Sequence, residues 1–171
     1  MVDVLIVSPA WQMLPEAAQV VQRSVAAAAA ATADPRLSRA ELCVLLCDDD
    51  TITALNGRWR GQETPTNVLS FPALPRDAAG ALARTPSADV PSDRIPLGDI
   101  AVAAQTLARE AAESGKTAPA HLAHLVVHGL LHLVGYDHET DDEAEAMERL
   151  ERDILARISV ADPYAGRDAD I

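Results

Sequence analysis

The sequence predicts an α+β fold with a small mixed four-stranded sheet and about five helices. Three observations carry that expectation. Four short, mostly apolar segments, the first of them rich in β-branched residues, are interleaved with longer segments showing helical periodicity or helix caps. No internal repeat divides the chain, and no composition shift marks a convincing domain boundary. At 171 residues the chain is long enough to bury a core without staples. Residues 1–160 are therefore expected to form a single domain, and 161–171 a polar, frayed tail.

The elements follow in order. Val2-Asp3-Val4-Leu5-Ile6-Val7-Ser8 reads as a first strand. Leu14 to Thr32 reads as a helix, with Pro15 in its first turn and alanines from Ala26 to Ala31, the best helix former. Ala40 to Cys47 is the second strand, and Asp48 to Asp50 are suited to cap a short helix through Ile52 and Leu55. Asn67 to Phe71 is the third strand. The stretch 72–96, rich in Pro, Ala and acids, is expected to be a long mobile loop. Leu97 to Val102 is the fourth strand, and the helix after it ends near Ser114-Gly115. Pro119 to about Val134 is a strongly apolar helix, expected to be central. The last helix opens on Thr140-Asp141-Asp142-Glu143, a T-x-x-E capping box. It places Met147, Leu150, Ile154 and Ile158 on one face and spaces Glu145/Arg149 and Glu148/Arg152 for ion pairs on a solvated face.

Aromatic residues are only 3% of the chain, so Ala, Leu, Val and Ile must build the core. No apolar run approaches the roughly 18–20 residues of a membrane span, and the N-terminus lacks the basic and apolar regions of a signal peptide. The expected location is the cytoplasm, with no membrane partner. The net charge of −12 disfavours a broad nucleic-acid-coating surface. Yet the segment from Tyr136 to Asp153 alone supplies −7 of it, which leaves room for a local basic pocket.

Cys43 and Cys47 are four residues apart on a strand, about 13 Å between Cα atoms. A disulfide needs less than about 7 Å, so both are expected to be buried thiols.

The chemistry concentrates in the histidines. All five lie between His121 and His138. Two triads are available, His124/His128/His132 or His128/His132/His138. Residues i and i+8 of one helix are about 12 Å apart along its axis, too far for both to reach one ion at roughly 2 Å. The second triad avoids this: His128 and His132 project from adjacent turns, Gly135 can end the helix left-handed, and the chain folds back with His138. Three ligands leave a fourth position for water, the pattern of a catalytic rather than a structural site, and Zn²⁺ is the expected ion, one per chain. His124 is expected to support the site or the core, and Asp137 to orient a histidine or remain in solvent.

The spacing H-x-x-x-H-x-x-G-x-x-H is similar to that of the metzincin proteases, whose motif begins H-E-x-x-H. Here Gly129 stands where their general base stands, and glycine cannot take a proton, so peptidase chemistry is disfavoured. Upstream, Arg60 precedes a glycine before a strand, where a guanidinium can face a cleft and bind phosphate. Alone, an Arg-Gly pair is weak evidence and reads more readily as surface charge.

Three segments in order, LNGRWRGQETPTNVLSFP, LGDIAVA and HGLLHLVGYDHETDDEAEAMERLE, together resemble the YbeY family of bacterial endoribonucleases, linked to ribosomal RNA maturation. The resemblance implies a zincin-like fold, zinc ligands at His128, His132 and His138, and a catalytic arginine at Arg60 acting with His128. It implies single-strand RNA cleavage in 16S rRNA 3′-end processing and ribosome quality control, with rRNA, ribosomal particles and ribosomal or assembly proteins as partners. Water or the RNA's own 2′-OH is then the nucleophile. The alternatives are a ribosome-assembly factor with a structural zinc site, and a metal-dependent hydrolase of another phosphoester or of an amide.

Overall fold

A computed structural model describes residues 1–32, 34–73 and 94–165. The strands are β1 (Val2–Ile6), β2 (Ala40–Cys47), β3 (Val68–Pro72) and β4 (Ile95–Ala103). They lie in one sheet in the order β1-β2-β4-β3. β1, β2 and β4 run parallel and β3 runs antiparallel to β4, so the sheet is mixed, as expected.

Alternation along the strands sorts their side chains onto two faces. Leu42, Val44, Leu46, Ile100 and Val102 join the large core beneath α1 (Ala17–Thr32) and α5 (Ala118–Leu133). Cys47, Leu69, Ala101 and Ala103 face the other way and form a small core with Ile52 of α3 (Asp49–Arg60). Asp48 caps α3 by accepting the Thr51 N–H at 2.9 Å, and Gly61 ends it at a φ of 69°.

α5 is the centre of the molecule. Ten of its sixteen residues are buried, which a helix can sustain only when it is packed on several sides. It lies against α1, α4 (Ala104–Glu113), α6 (Asp141–Arg157), β3 and β4. Thr117 accepts the Ala120 N–H at its start. At its end Gly135 adopts a φ of 106°, and Tyr136 N–H returns to Leu131 O at 3.0 Å, which reverses the chain. Arg36, in the one-turn helix α2 (Pro35–Ser38), donates to Val134 O at 2.9 Å and braces that end.

Two expectations change at the first helix. A 3-10 helix (Pro9–Met13) precedes α1, because Ser8 accepts the Ala10 N–H and caps that turn, so α1 starts at Ala17 rather than Leu14. The sequence also gives no sign of the short α2, whose single turn carries no period. Most of the expected 72–96 loop (74–93) and the end of the expected tail (166–171) lie outside the described residues. The part of the tail that is described is ordered against the core: Tyr164 is only 9% exposed. Among the described residues, no helix is long and apolar enough to cross a membrane.

Candidate metal centre and cleft

His128, His132 and His138 come together as the spacing required. One ligand-capable atom from each lies within 4.8 Å of the others. His128 and His132 sit one turn apart on α5, and the reversal at Gly135 brings His138 over them, its ring stacked at 26° to that of His128.

Hydrogen bonds behind the rings fix their tautomers. His132 Nδ1 lies 3.0 Å from Tyr136 O, and a carbonyl can only accept, so this nitrogen carries the proton. His128 Nδ1 lies 2.8 Å from Glu151 Oε1. Burial alone would raise the Glu151 carboxyl, but hydrogen bonds from His124, His128 and Tyr164 outweigh it and hold it down to about 2. As a carboxylate, Glu151 also requires the His128 proton on Nδ1.

Both Nε2 atoms therefore present lone pairs, and they face each other at 3.1 Å. Two lone pairs so close repel unless a cation sits between them. Nitrogens about 2.0–2.1 Å from a tetrahedral ion are roughly 3.3 Å apart, which is nearly the spacing found here. Burial, followed by the neighbouring His128 and His138, pushes His132 down to about 4, so it is neutral and ligand-ready at neutral pH. The pattern of a ligand histidine whose other nitrogen donates to a carboxylate or carbonyl is the usual one at metal sites. The residues fit a divalent ion such as Zn²⁺.

The sequence missed the carboxylate. Glu151 lies on α6, whose acids read as a solvated face, yet it is 0% exposed. Glu145/Arg149 and Glu148/Arg152 do pair on the outer side as expected, at 2.8 and 3.3 Å. Glu151 falls on the inner side with Met147, Ile154 and Leu155. Its place four residues after Met147 and three before Ile154, inside an apolar stripe, was the available signal.

His124 sits behind the site. Its Nε2 lies 3.1 Å from Glu151 Oε2 and 3.3 Å from the Tyr164 hydroxyl, which itself donates to Glu151. His124, His128 and Glu151 form a second group close enough to hold an ion. Using it would require His128 to bind through Nδ1, the nitrogen occupied by Glu151, so the group serves better as the hydrogen-bonded back wall. His121, deeper on α5, meets Glu110 at 2.8 Å.

A cleft of about 480 Å³ opens in front of the triad. It is lined by Arg60, Ser70, His128, His132, Asp137 and His138. Arg60 is exposed on the last turn of α3 and reaches this cleft across β3. Asp137 Oδ1 accepts the backbone N–H of His138 at 2.9 Å, so it steadies the segment that carries the third histidine.

Gly129, the position of the metzincin base, has a steric reason. A Cβ there would lie 2.9 Å from Ser70 Oγ and 3.2 Å from Ile100 Cγ2. Ser70 Oγ also donates to Gly129 O at 3.1 Å. Side chains of β3 and β4 thus crowd the position where any larger residue would start. The two cysteines stay apart from the histidines as free thiols. Burial pushes Cys47 up to about 11, while Cys43 is only partly buried rather than fully so.

A family profile described as Endoribonuclease YbeY matches residues 11–159. The chain belongs to the YbeY endoribonuclease family. Members named Endoribonuclease YbeY include one from Rhodopseudomonas palustris (strain BisB18), 54% identical over 97% of this chain and 93% of its own length. Another, from Bradyrhizobium diazoefficiens, is 49% identical over 98% of this chain and 86% of its own. The solution structure of TM1509 from Thermotoga maritima is similar in fold, with a TM-score of 0.52, 24% identity, and coverage of 93% of this chain and 92% of that one.

Proposed function

We propose that this protein is a zinc-dependent endoribonuclease that cuts single-stranded RNA in the cytoplasm, acting in 16S rRNA 3′-end maturation and ribosome quality control. Its partners in that role are rRNA within ribosomal particles and ribosomal or assembly proteins. Membership of the YbeY family supports the RNA substrate. The observation that carries the chemistry is the opposed pair of Nε2 lone pairs, 3.1 Å apart, in the cleft that Arg60 also lines.

His128, His132 and His138 would hold the ion, Glu151 and the Tyr136 carbonyl fixing the first two in the right tautomer. When bound, Zn²⁺ supplies Lewis acidity toward a phosphoryl oxygen or a water. Arg60 would bind the scissile phosphate and offset the charge that builds on it during displacement. Gly129 supplies no side-chain base at the metzincin position, and the nucleophile is water or the adjacent 2′-OH. The two leave different ends on the product.

The test is purified protein on single-stranded rRNA fragments, with chelator, zinc add-back and end-group analysis. Arg60→Ala should keep the metal and lose activity by about 10²–10³-fold. Cleavage that survives both metal removal and Arg60→Ala would overturn the proposal. If the site is instead structural in an assembly factor, metal removal unfolds the protein and no preparation cleaves RNA.

A further inference from the structure

Trp59 is 63% exposed, in a chain with only two tryptophans and an aromatic content of 3%. The other, Trp11, is 2% exposed and donates its indole N–H to Cys47 O at 2.9 Å, so it is ordinary core. Trp59 has no such explanation. It stands between Arg58 and Arg60 on the last turn of α3, and Arg60 lines the metal cleft. The Arg58 guanidinium lies over the Trp59 ring at 5.5 Å. Phe71 of β3 meets it at 6.2 Å and 62°. These two contacts hold the indole in place yet leave most of it open.

The sheet explains what the indole faces. β3 pairs only with β4, so its outer edge has no strand partner among the described residues. Ser70 and Pro72 project to the cleft side, while Leu69 and Phe71 belong to the α3 side. Arg60 and Trp59 thus flank one open edge, the guanidinium toward the metal cleft and the indole toward the α3 side. A strand of nucleotides crossing that edge with a phosphate at Arg60 brings a neighbouring base to Trp59.

Resting on the RNA reading above, we infer that Trp59 is a stacking platform for an unpaired base next to the scissile phosphate. A fixed, exposed aromatic flanked by arginines is the arrangement that binds single strands. Every base has a π-face, so such a platform takes any sequence but needs the base free of a duplex. The local Arg-Trp-Arg pairing also supplies positive charge where the chain as a whole, at −12, does not.

The experiment uses the zinc-loaded full chain with two probes. One is a cleavable single-stranded RNA, and the other is a 2′-O-methyl oligonucleotide of the same sequence, which cannot be cut through its own 2′-OH and reads binding once its length is verified as intact. Trp59→Ala should weaken binding and raise KM by about 5- to 100-fold with kcat little changed. Trp59→Phe should retain most of the affinity, and Trp59→Leu, apolar but unable to stack, should behave like Trp59→Ala. An RNA with one abasic nucleotide beside the cut should erase the difference between wild type and Trp59→Ala. Zinc content and melting temperature serve as controls for folding.

Wild-type protein that neither binds nor cuts either strand overturns the RNA reading and this inference with it. Wild type that cuts RNA while Trp59→Ala matches it overturns the stacking role alone. Full activity of Trp59→Leu overturns stacking in favour of simple apolar contact. A defect of Trp59→Ala seen only on ribosomal particles, with bare RNA unaffected, makes the patch a protein-docking surface and overturns it too.

Discussion

Glu151 Oε1 lies 2.8 Å from His128 Nδ1, and the glutamate that makes this contact is wholly buried. The carboxylate thereby sets the face that His128 turns to the metal cleft. Glu151→Gln keeps the size and one acceptor but removes the charge. It should weaken zinc binding by about 10–100-fold while leaving the metal-bound fold intact. Competition against a chromophoric chelator reads the affinity, and equal affinity in the two proteins would remove Glu151 from the site.

His128 and His138 should separate when each is replaced by alanine. His138 is exposed, so His138→Ala should lose the metal yet leave metal-free stability within about 0.5 kcal/mol. His128→Ala also deprives the buried Glu151 of a partner, which costs a further 1–3 kcal/mol or so. Denaturant midpoints of the metal-free variants make the comparison. His138→Ala is thus the cleaner probe of whether the ion holds the fold, because unfolding by His128→Ala has two causes.

Gly129→Ala should destabilise the protein by about 1–3 kcal/mol, although alanine is the better helix former by about 1 kcal/mol. The added methyl meets Ser70 Oγ at 2.9 Å and Ile100 on a buried strand. Urea unfolding measures it, and a neutral or stabilising result would mean that β3 gives way easily.

Acid should weaken the metal-free protein in two stages. Burial pushes His132 from 6.5 to about 4 and lowers His121 as well, so below pH 6.5 the unfolded chain binds protons that the folded one refuses. Stability from these groups is complete above 6.5 and falls as the pH drops toward 4. Glu151 is held near 2 against an ordinary 4.5, so its contribution is lost as pH falls from 4.5 toward 2. Urea midpoints between about pH 7.5 and 3.5 should decline throughout, and zinc should leave over the upper stage as protons compete for the ligands. A flat profile from about pH 7.5 to 5 would contradict the buried, neutral state of His132.

The strands and the histidine triad were legible because each writes a local pattern into the chain. A short apolar run marks β2, and the i,i+4 histidines with Gly135 mark the turn that returns His138. The capping box at Thr140 is equally local, and both of its reciprocal bonds form. What stayed hidden depends on which residues meet across the fold. Glu151 carries the same charge as its solvated neighbours, and only its placement against α5 turns it inward. Tyr164 follows the last helix in a polar stretch that reads as loose, yet its hydroxyl reaches Glu151 and Lys116 ties the adjacent Pro163 carbonyl at 2.7 Å. Arg60 needed the opposite step, since only the tertiary fold shows which cleft a surface arginine lines.

The crowding at Gly129 also bears on how this scaffold can change over generations. A single codon change could place glutamate beside His128 and complete the sequence motif of a peptidase. The glutamate's Cβ alone would press on Ser70 Oγ and on Ile100. The packing of Ser70 and Ile100 thus puts a cost on the short mutational route to peptide hydrolysis, whatever the histidines could support.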